Sequence, residues 1–174
     1  MKSETMARYA TGLLLLGGLA AIATAWGFQL IGGFVPCKLC LEQRIPYYAG
    51  LPLAALALLL MVRGRTGLAV LALLLVAAVF AYGSGLGIYQ AGAEWALWDG
   101  PNDCGGGSAA PSSAADMLKT LQATRIVSCT EASWRLMGLS FAGWNAVASA
   151  GLAVLALLAA LLLKRSGNKA SVEA

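Results

Sequence analysis

Histidine is absent from this chain, and charge is scarce: Asp, Glu, Lys and Arg make up 11% of its 174 residues. The first absence removes Ser-His and Cys-His nucleophiles and the usual histidine-containing zinc sites. The second removes an ordinary soluble domain, in which about a quarter of residues are charged. Internal repeats are also missing. The segment "YGSGLGIY" places glycines at 83, 85 and 87, but a dinucleotide fingerprint requires a strand before it and a helix after it. Small residues inside an apolar run serve close helix packing instead.

What is there is apolar: 59% of the residues are hydrophobic. Crossing a bilayer takes about 20 apolar residues in a helix. Segments 9–32, 67–89 and 141–163 are long enough, and 47–62 is short unless its helix begins earlier, within "CKLC". Only helices satisfy their backbone groups in lipid over runs of this length. The prediction is an all-α membrane protein, one integral domain over 1–174 folded as a bundle of four transmembrane helices. Ala21, Ala23 and Ala25 offer an A-x-A cleavage pattern. The apolar run around them exceeds the about 7–15 residues of a signal peptide, so it reads as a retained span.

Charge placement predicts orientation. Lys2, Arg8, Arg63, Arg65, Lys164, Arg165 and Lys169, seven of the twelve basic residues, flank the spans with only Glu4 and Glu173 for company. Lys38, Arg44, Lys119, Arg125 and Arg135 share two other loops with six acids. Basic residues near span ends stay cytoplasmic. Both termini are therefore expected in the cytoplasm, and loops 33–46 and 90–140 on the outer side of the lipid bilayer. The net charge of +4 follows from topology and calls for no nucleic-acid partner.

Those two loops hold every cysteine: Cys37 and Cys40 in the first, Cys104 and Cys129 in the second. In the second, "GPNDCGGGSAAPSS" predicts a mobile stretch from its Gly, Pro and Ser content. "SAADMLKTLQAT" then gives Ser113 and Asp116 capping-box spacing. Met117, Leu118 and Leu121 would share one face of a short amphipathic helix, lying on the membrane surface or packed on its own loop. Trp95, Trp98, Trp134, Trp144, Tyr47, Tyr48 and Tyr89 read as an interfacial aromatic belt without chemistry.

Four cysteines allow three pairings. A four-cysteine zinc site usually needs two short knuckles, and the 104–129 spacing is no knuckle. A bridge between Cys104 and Cys129 would staple a long loop. A Cys-x-x-Cys ring constrains little chain, and such pairs are more often redox-active, made acidic by helix position and nearby cations. Lys38 and Arg44 are the cations to hand. If the second span's helix begins at the motif, Cys40 and Arg44 stand at i and i+4 on one face, although Pro46 pushes Ile45 away from helical angles. Two dithiol pairs on one side point to a relay, since thiolates exchange disulfides through mixed intermediates. A relay needs a final acceptor, and no haem-attachment motif or metal cluster is present to serve. A quinone dissolved in the bilayer is within reach of a Cys-x-x-Cys at a span end. Two other classes fit the same cysteines: a non-catalytic membrane scaffold with structural disulfides, and a thiolate-based metal-handling membrane protein.

The residues "PCKLCLEQRIPYY", "GPNDC" and "VSCTEASWRLMGLSFAGWN", with four spans and both termini inside, resemble the DsbB family of bacterial inner-membrane disulfide-bond formation proteins. The resemblance covers nearly the whole chain. It implies a quinone-dependent thiol oxidoreductase acting on a periplasmic thioredoxin-fold oxidase of the DsbA type. By that resemblance reduced DsbA attacks Cys104 and displaces Cys129; Cys129 attacks Cys37 and frees Cys40 beside the quinone, ubiquinone or menaquinone. Arg44 matches the family arginine that supports quinone reduction. Some members carry a histidine near the start of the second loop, where this chain has Gln90. Here protons for the quinol would come from water or from a carboxylate such as Glu42. No metal is implied.

Overall fold

A computed structural model of the protein describes residues 2–100, 130, 132 and 134–172, with side chains through residue 167. Cys104, Cys129 and the amphipathic helix expected around Met117, Leu118 and Leu121 lie outside the described residues.

Four long helices dominate: α1 (Lys2–Leu30), α3 (Ile45–Val62), α4 (Thr66–Glu94) and α5 (Phe141–Val172). A short α2 (Lys38–Glu42) precedes α3, and a small hairpin, β1 (Arg135–Leu136) with β2 (Leu139–Ser140), precedes α5. Among the described residues four segments are long and apolar enough to cross a membrane: Lys2–Leu30, Lys38–Val62, Thr66–Glu94 and Phe141–Gly167. The protein is a four-helix membrane protein. Neighbouring helices run antiparallel. Arg8 near the start of α1 hydrogen-bonds the Met61 carbonyl at the end of α3. Ser3 meets Ser166 of α5. At the other end, Gly87 of α4 sits against Ala142 and Ala146 of α5.

The core is built largely of alanine. Ala7, Ala57, Ala69, Ala159, Leu73 and Leu163 form one buried cluster. Leu14, Ala54, Val76, Phe80 and Ala156 form a second, nearer the cysteines. Lipid tails are as apolar as leucine, so helices associate in the bilayer through close packing, which small residues allow. The glycines of α4 illustrate this. A Cβ on Gly87 would stand 2.8 Å from the Ala146 nitrogen, and one on Gly83 would meet the Pro46 ring at 3.0 Å. Gly85 faces open space.

Two local expectations fail. Ile45 is helical: it opens α3 with Pro46 in the first turn, where the missing N–H has no intrahelical partner to lose. Pro46 thus starts the helix rather than displacing its neighbour. Tyr47 does not belong to the interfacial belt. It is 3% exposed, packed edge-on against Phe80, with its hydroxyl satisfied inside the bundle. The hairpin turns through Met137 and Gly138, both at positive φ (52° and 84°), the backbone that two-residue turns of twisted strands need.

Candidate functional site

Cys37 stands at the N-cap of α2 with extended backbone, and its sulfur accepts the Cys40 amide at 3.2 Å. The side chain therefore satisfies one of the amides that a helix start leaves without a partner. One turn on, Cys40 brings its own sulfur to 2.7 Å from that of Cys37. Helix geometry alone sets this pairing: the first and fourth residues of a turn lie on one side.

Beyond Glu42 the helix is interrupted. Gln43 and Arg44 form a turn in which the Arg44 N–H reaches back only to the Leu41 carbonyl, at 3.1 Å. Both residues nonetheless keep right-handed helical angles, and the span runs from Lys38 to Val62, as expected of a helix that begins at the motif. The Arg44 guanidinium turns to α1. Nη1 donates to Gln29 Oε1 at 2.6 Å, Nη2 lies 3.5 Å from the Ala25 carbonyl oxygen, and the guanidinium carbon sits 5.2 Å from the Trp26 ring centroid. Arg44 is 9% exposed, and among the described residues no carboxylate pairs with it. A buried cation held only by neutral partners leaves the site receptive to negative charge.

Arg44 and Cys40 nonetheless meet at one place. Both line a cavity of about 430 Å³ between α1, α3, α5 and the hairpin, a volume within the usual range for small-molecule sites. Most of its wall is apolar: Phe28, Phe34, Trp134 and Phe141 pack ring on ring. The polar groups are few, Gln29, Gln43, Arg44, Tyr47 and Asn145 chief among them. Trp134, expected to be a belt residue, is part of this wall. Glu42 is not among the lining residues.

Behind Cys40 lies a chain of side-chain hydrogen bonds that runs one way. The Tyr47 hydroxyl donates to Asn145 Oδ1 at 2.8 Å, Asn145 Nδ2 to Gln43 Oε1 at 2.7 Å, and Gln43 Nε2 to Gln90 Oε1 at 2.5 Å. Gln90 Nε2 then stands 3.5 Å from the Cys40 sulfur, 3.6 Å from the Cys37 sulfur and 3.3 Å from Glu94 Oε1. Every amide donor points toward the sulfurs, and aligned hydrogen bonds polarise one another. Gln90 thus brings an amide donor to both sulfurs. Gln90 belongs to the last turns of α4, not to a loop, and is 4% exposed. The spacing of Gln90 and Glu94, four residues apart, was the signal available in the sequence for a helix continuing past Tyr89.

Four membrane-length helices that hold a close cysteine pair against an apolar cavity define an integral membrane protein of thiol–disulfide chemistry. The comparisons with known proteins give the family. The family described as "Disulfide bond formation protein DsbB" matches residues 7–159. "Disulfide bond formation protein B" of Marinobacter nauticus (strain ATCC 700491 / DSM 11845 / VT8) is 32% identical over 166 residues, covering 88% of this chain and 92% of that protein. The chain belongs to the DsbB family and is a multi-pass membrane thiol–disulfide oxidoreductase. No solved structure matches it.

Proposed function

We propose that the protein reoxidises a periplasmic dithiol oxidase of the DsbA type and delivers the electrons to a membrane quinone. The observation that carries this reading is Arg44: a buried guanidinium with neutral partners, in the wall of an apolar cavity that Cys40 also lines. The cavity suits a flat, largely apolar ring with oxygen acceptors. Its aromatic walls match the ring faces, and Arg44, Gln29, Gln43 and Asn145 offer polar contacts. A quinone bound there supplies a two-electron acceptor.

The chain's own steps are thiol exchanges. The partner's thiolate attacks Cys104 and Cys129 leaves; Cys129 attacks Cys37 of a Cys37–Cys40 disulfide, and Cys40 leaves as the thiolate. That thiolate emerges at the cavity wall, and Gln90 donates to it from behind. Arg44 favours negative charge developing on an oxygen in front. Burial by Phe28, Phe34, Trp134 and Phe141 excludes water, which strengthens both interactions.

Orientation belongs to the same reading. The basic residues of both termini and of the α3–α4 turn mark the cytoplasmic side of a bacterial inner membrane, and the cysteines then face the periplasm, where disulfides persist. The test uses the purified chain in mild detergent with a reduced thioredoxin-fold oxidase and a short-chain quinone. Consumption of quinone that depends on both cysteine pairs is expected. Partner oxidation without quinone consumption would refute the acceptor.

A further inference from the structure

The carboxyl group of Glu94 is held at the cysteine pair without its full complement of partners. Its Oε1 accepts from Gln90 Nε2, whereas Oε2 is buried and has no hydrogen-bond partner among the described residues. The same Gln90 nitrogen approaches both cysteine sulfurs. One amide thus serves two acids, a carboxyl on one side and a thiol on the other.

Two negative charges on a single amide donor in this setting are costly, because burial penalises each and they repel one another. One charge is well served, wherever it resides. We propose that Glu94 and Cys40 share one proton across Gln90, so that the carboxylate takes the thiol's proton as the sulfur becomes nucleophilic. The step balances. The S–H bond, which faces Gln90 Oε1 at 3.9 Å, breaks as that oxygen takes the proton. Gln90 Nε2 passes one to Glu94 Oε1, the group returns to its amide form, and the electron pair stays on sulfur. The number of buried charges is unchanged, so making the thiolate requires no new charge in the protein interior.

The surrounding charges are compatible. α2 brings Lys38 and Glu42 beside the two cysteines, Arg44 is engaged with α1, and Asp99 follows α4. Arg135 of β1 donates to the backbone carbonyl of Glu94 at 3.3 Å. α5 contributes neutral groups at this end, Asn145 among them, and the Tyr47 hydroxyl of α3 is tied to Asn145. The inference rests on Cys37 and Cys40 cycling between dithiol and disulfide; it does not rest on the quinone.

The test is a pH profile taken without quinone. In the full chain carrying Cys104→Ser and Cys129→Ser, the reduced Cys37–Cys40 pair is reacted with a dipyridyl disulfide, and the released thione is followed by absorbance. A pair sharing one proton titrates as a unit, so the parent rate should be flat across the neutral range. In Glu94→Gln the thiol must release its proton to solvent, so the rate should climb by about tenfold per pH unit up to the thiol's own pKa and level only above it. Gln90→Leu removes the bridge while keeping both acids, and should bring the same slope. Identical profiles in Glu94→Gln and the parent, or a uniform loss without a change of slope, would overturn the proposal. A flat profile in Gln90→Leu overturns it even where Glu94→Gln fails to fold. A chain that fails to reduce quinone leaves this result standing, so the two readings fall separately.

Discussion

Replacing Arg44 by lysine separates charge from geometry. The substitution keeps a cation at the start of α3 but removes the planar fork that now reaches Gln29 and the Ala25 carbonyl while lying against Trp26. Arginine's five donors sit in fixed directions, whereas a lysine ammonium is a compact, strongly hydrated point charge. With two donors committed to α1, the guanidinium has others left for an oxygen in the cavity. A hydrogen bond to a charged group nets about 1.5–3 kcal/mol, and each 1.4 kcal/mol is a factor of about ten. Arg44→Lys should therefore lower kcat/KM for quinone by about 10- to 150-fold. The assay varies a short-chain quinone at saturating reduced partner, with a parallel measurement of partner oxidation at limiting enzyme in a single turnover. The first should fall and the second should hold, because the partner's attack is assigned to Cys104. A kcat/KM for quinone within twofold of the parent would refute the reasoning and leave Arg44 as a tether between α3 and α1.

Other outcomes follow from the proposed relay, from the orientation and from helix packing. Cys104→Ser should abolish turnover with a DsbA-type partner while the Cys37–Cys40 pair still reacts with quinone, and Cys129→Ala should trap a mixed disulfide between Cys104 and the partner, visible on a non-reducing gel. Thiol reagents that cannot cross membranes should label the reduced cysteines in intact cells whose outer membrane has been made permeable; labelling only after the inner membrane is opened would reverse the orientation. Gly87→Ala should lower stability in detergent by about 1–3 kcal/mol through overpacking, since its Cβ would stand 2.9 Å from the Ala142 carbonyl oxygen. Gly85→Ala, with nothing within 4 Å of its Cβ, should leave the thermal midpoint near that of the parent.

The spans were legible because apolar runs of membrane length have few other uses, and the cysteine pair was legible because its spacing is local. Inward faces were not legible. A helix that is apolar all round carries no periodic mark of its buried side. Tyr47 therefore passed for a belt residue although its hydroxyl reaches across the bundle to Asn145 and Ser149. Gln90 and Glu94 were assigned to a loop because hydropathy falls away after Tyr89, although the helix itself runs on. The break at Gln43–Arg44 was hidden for a different reason. Proline sets limits on its neighbour's backbone, but whether a helix stops or restarts there depends on what Arg44 finds to bond.

The narrow contact row of α1 has a consequence for how such chains vary. Its buried residues are Ala7, Thr11, Leu14 and Gly18, a single stripe at alternating steps of four and three. At Gly18 a Cβ would come within 2.6 Å of the Leu51 side chain. At the start of that stripe and beyond its end the helix is fastened by Arg8 to the Met61 carbonyl and by Gln29 to Arg44. On the outer face Leu13, Leu16 and Leu19 are exposed and meet lipid tails, which accept any lipophilic side chain alike. Drift among leucine, isoleucine, valine and phenylalanine on that outer face carries almost no penalty, while a one-residue insertion between the stripe and Gln29 would rotate Gln29 away from the guanidinium. Relatives should therefore differ freely in the identity of α1's outward residues and hardly at all in its length from Gly18 to Gln29.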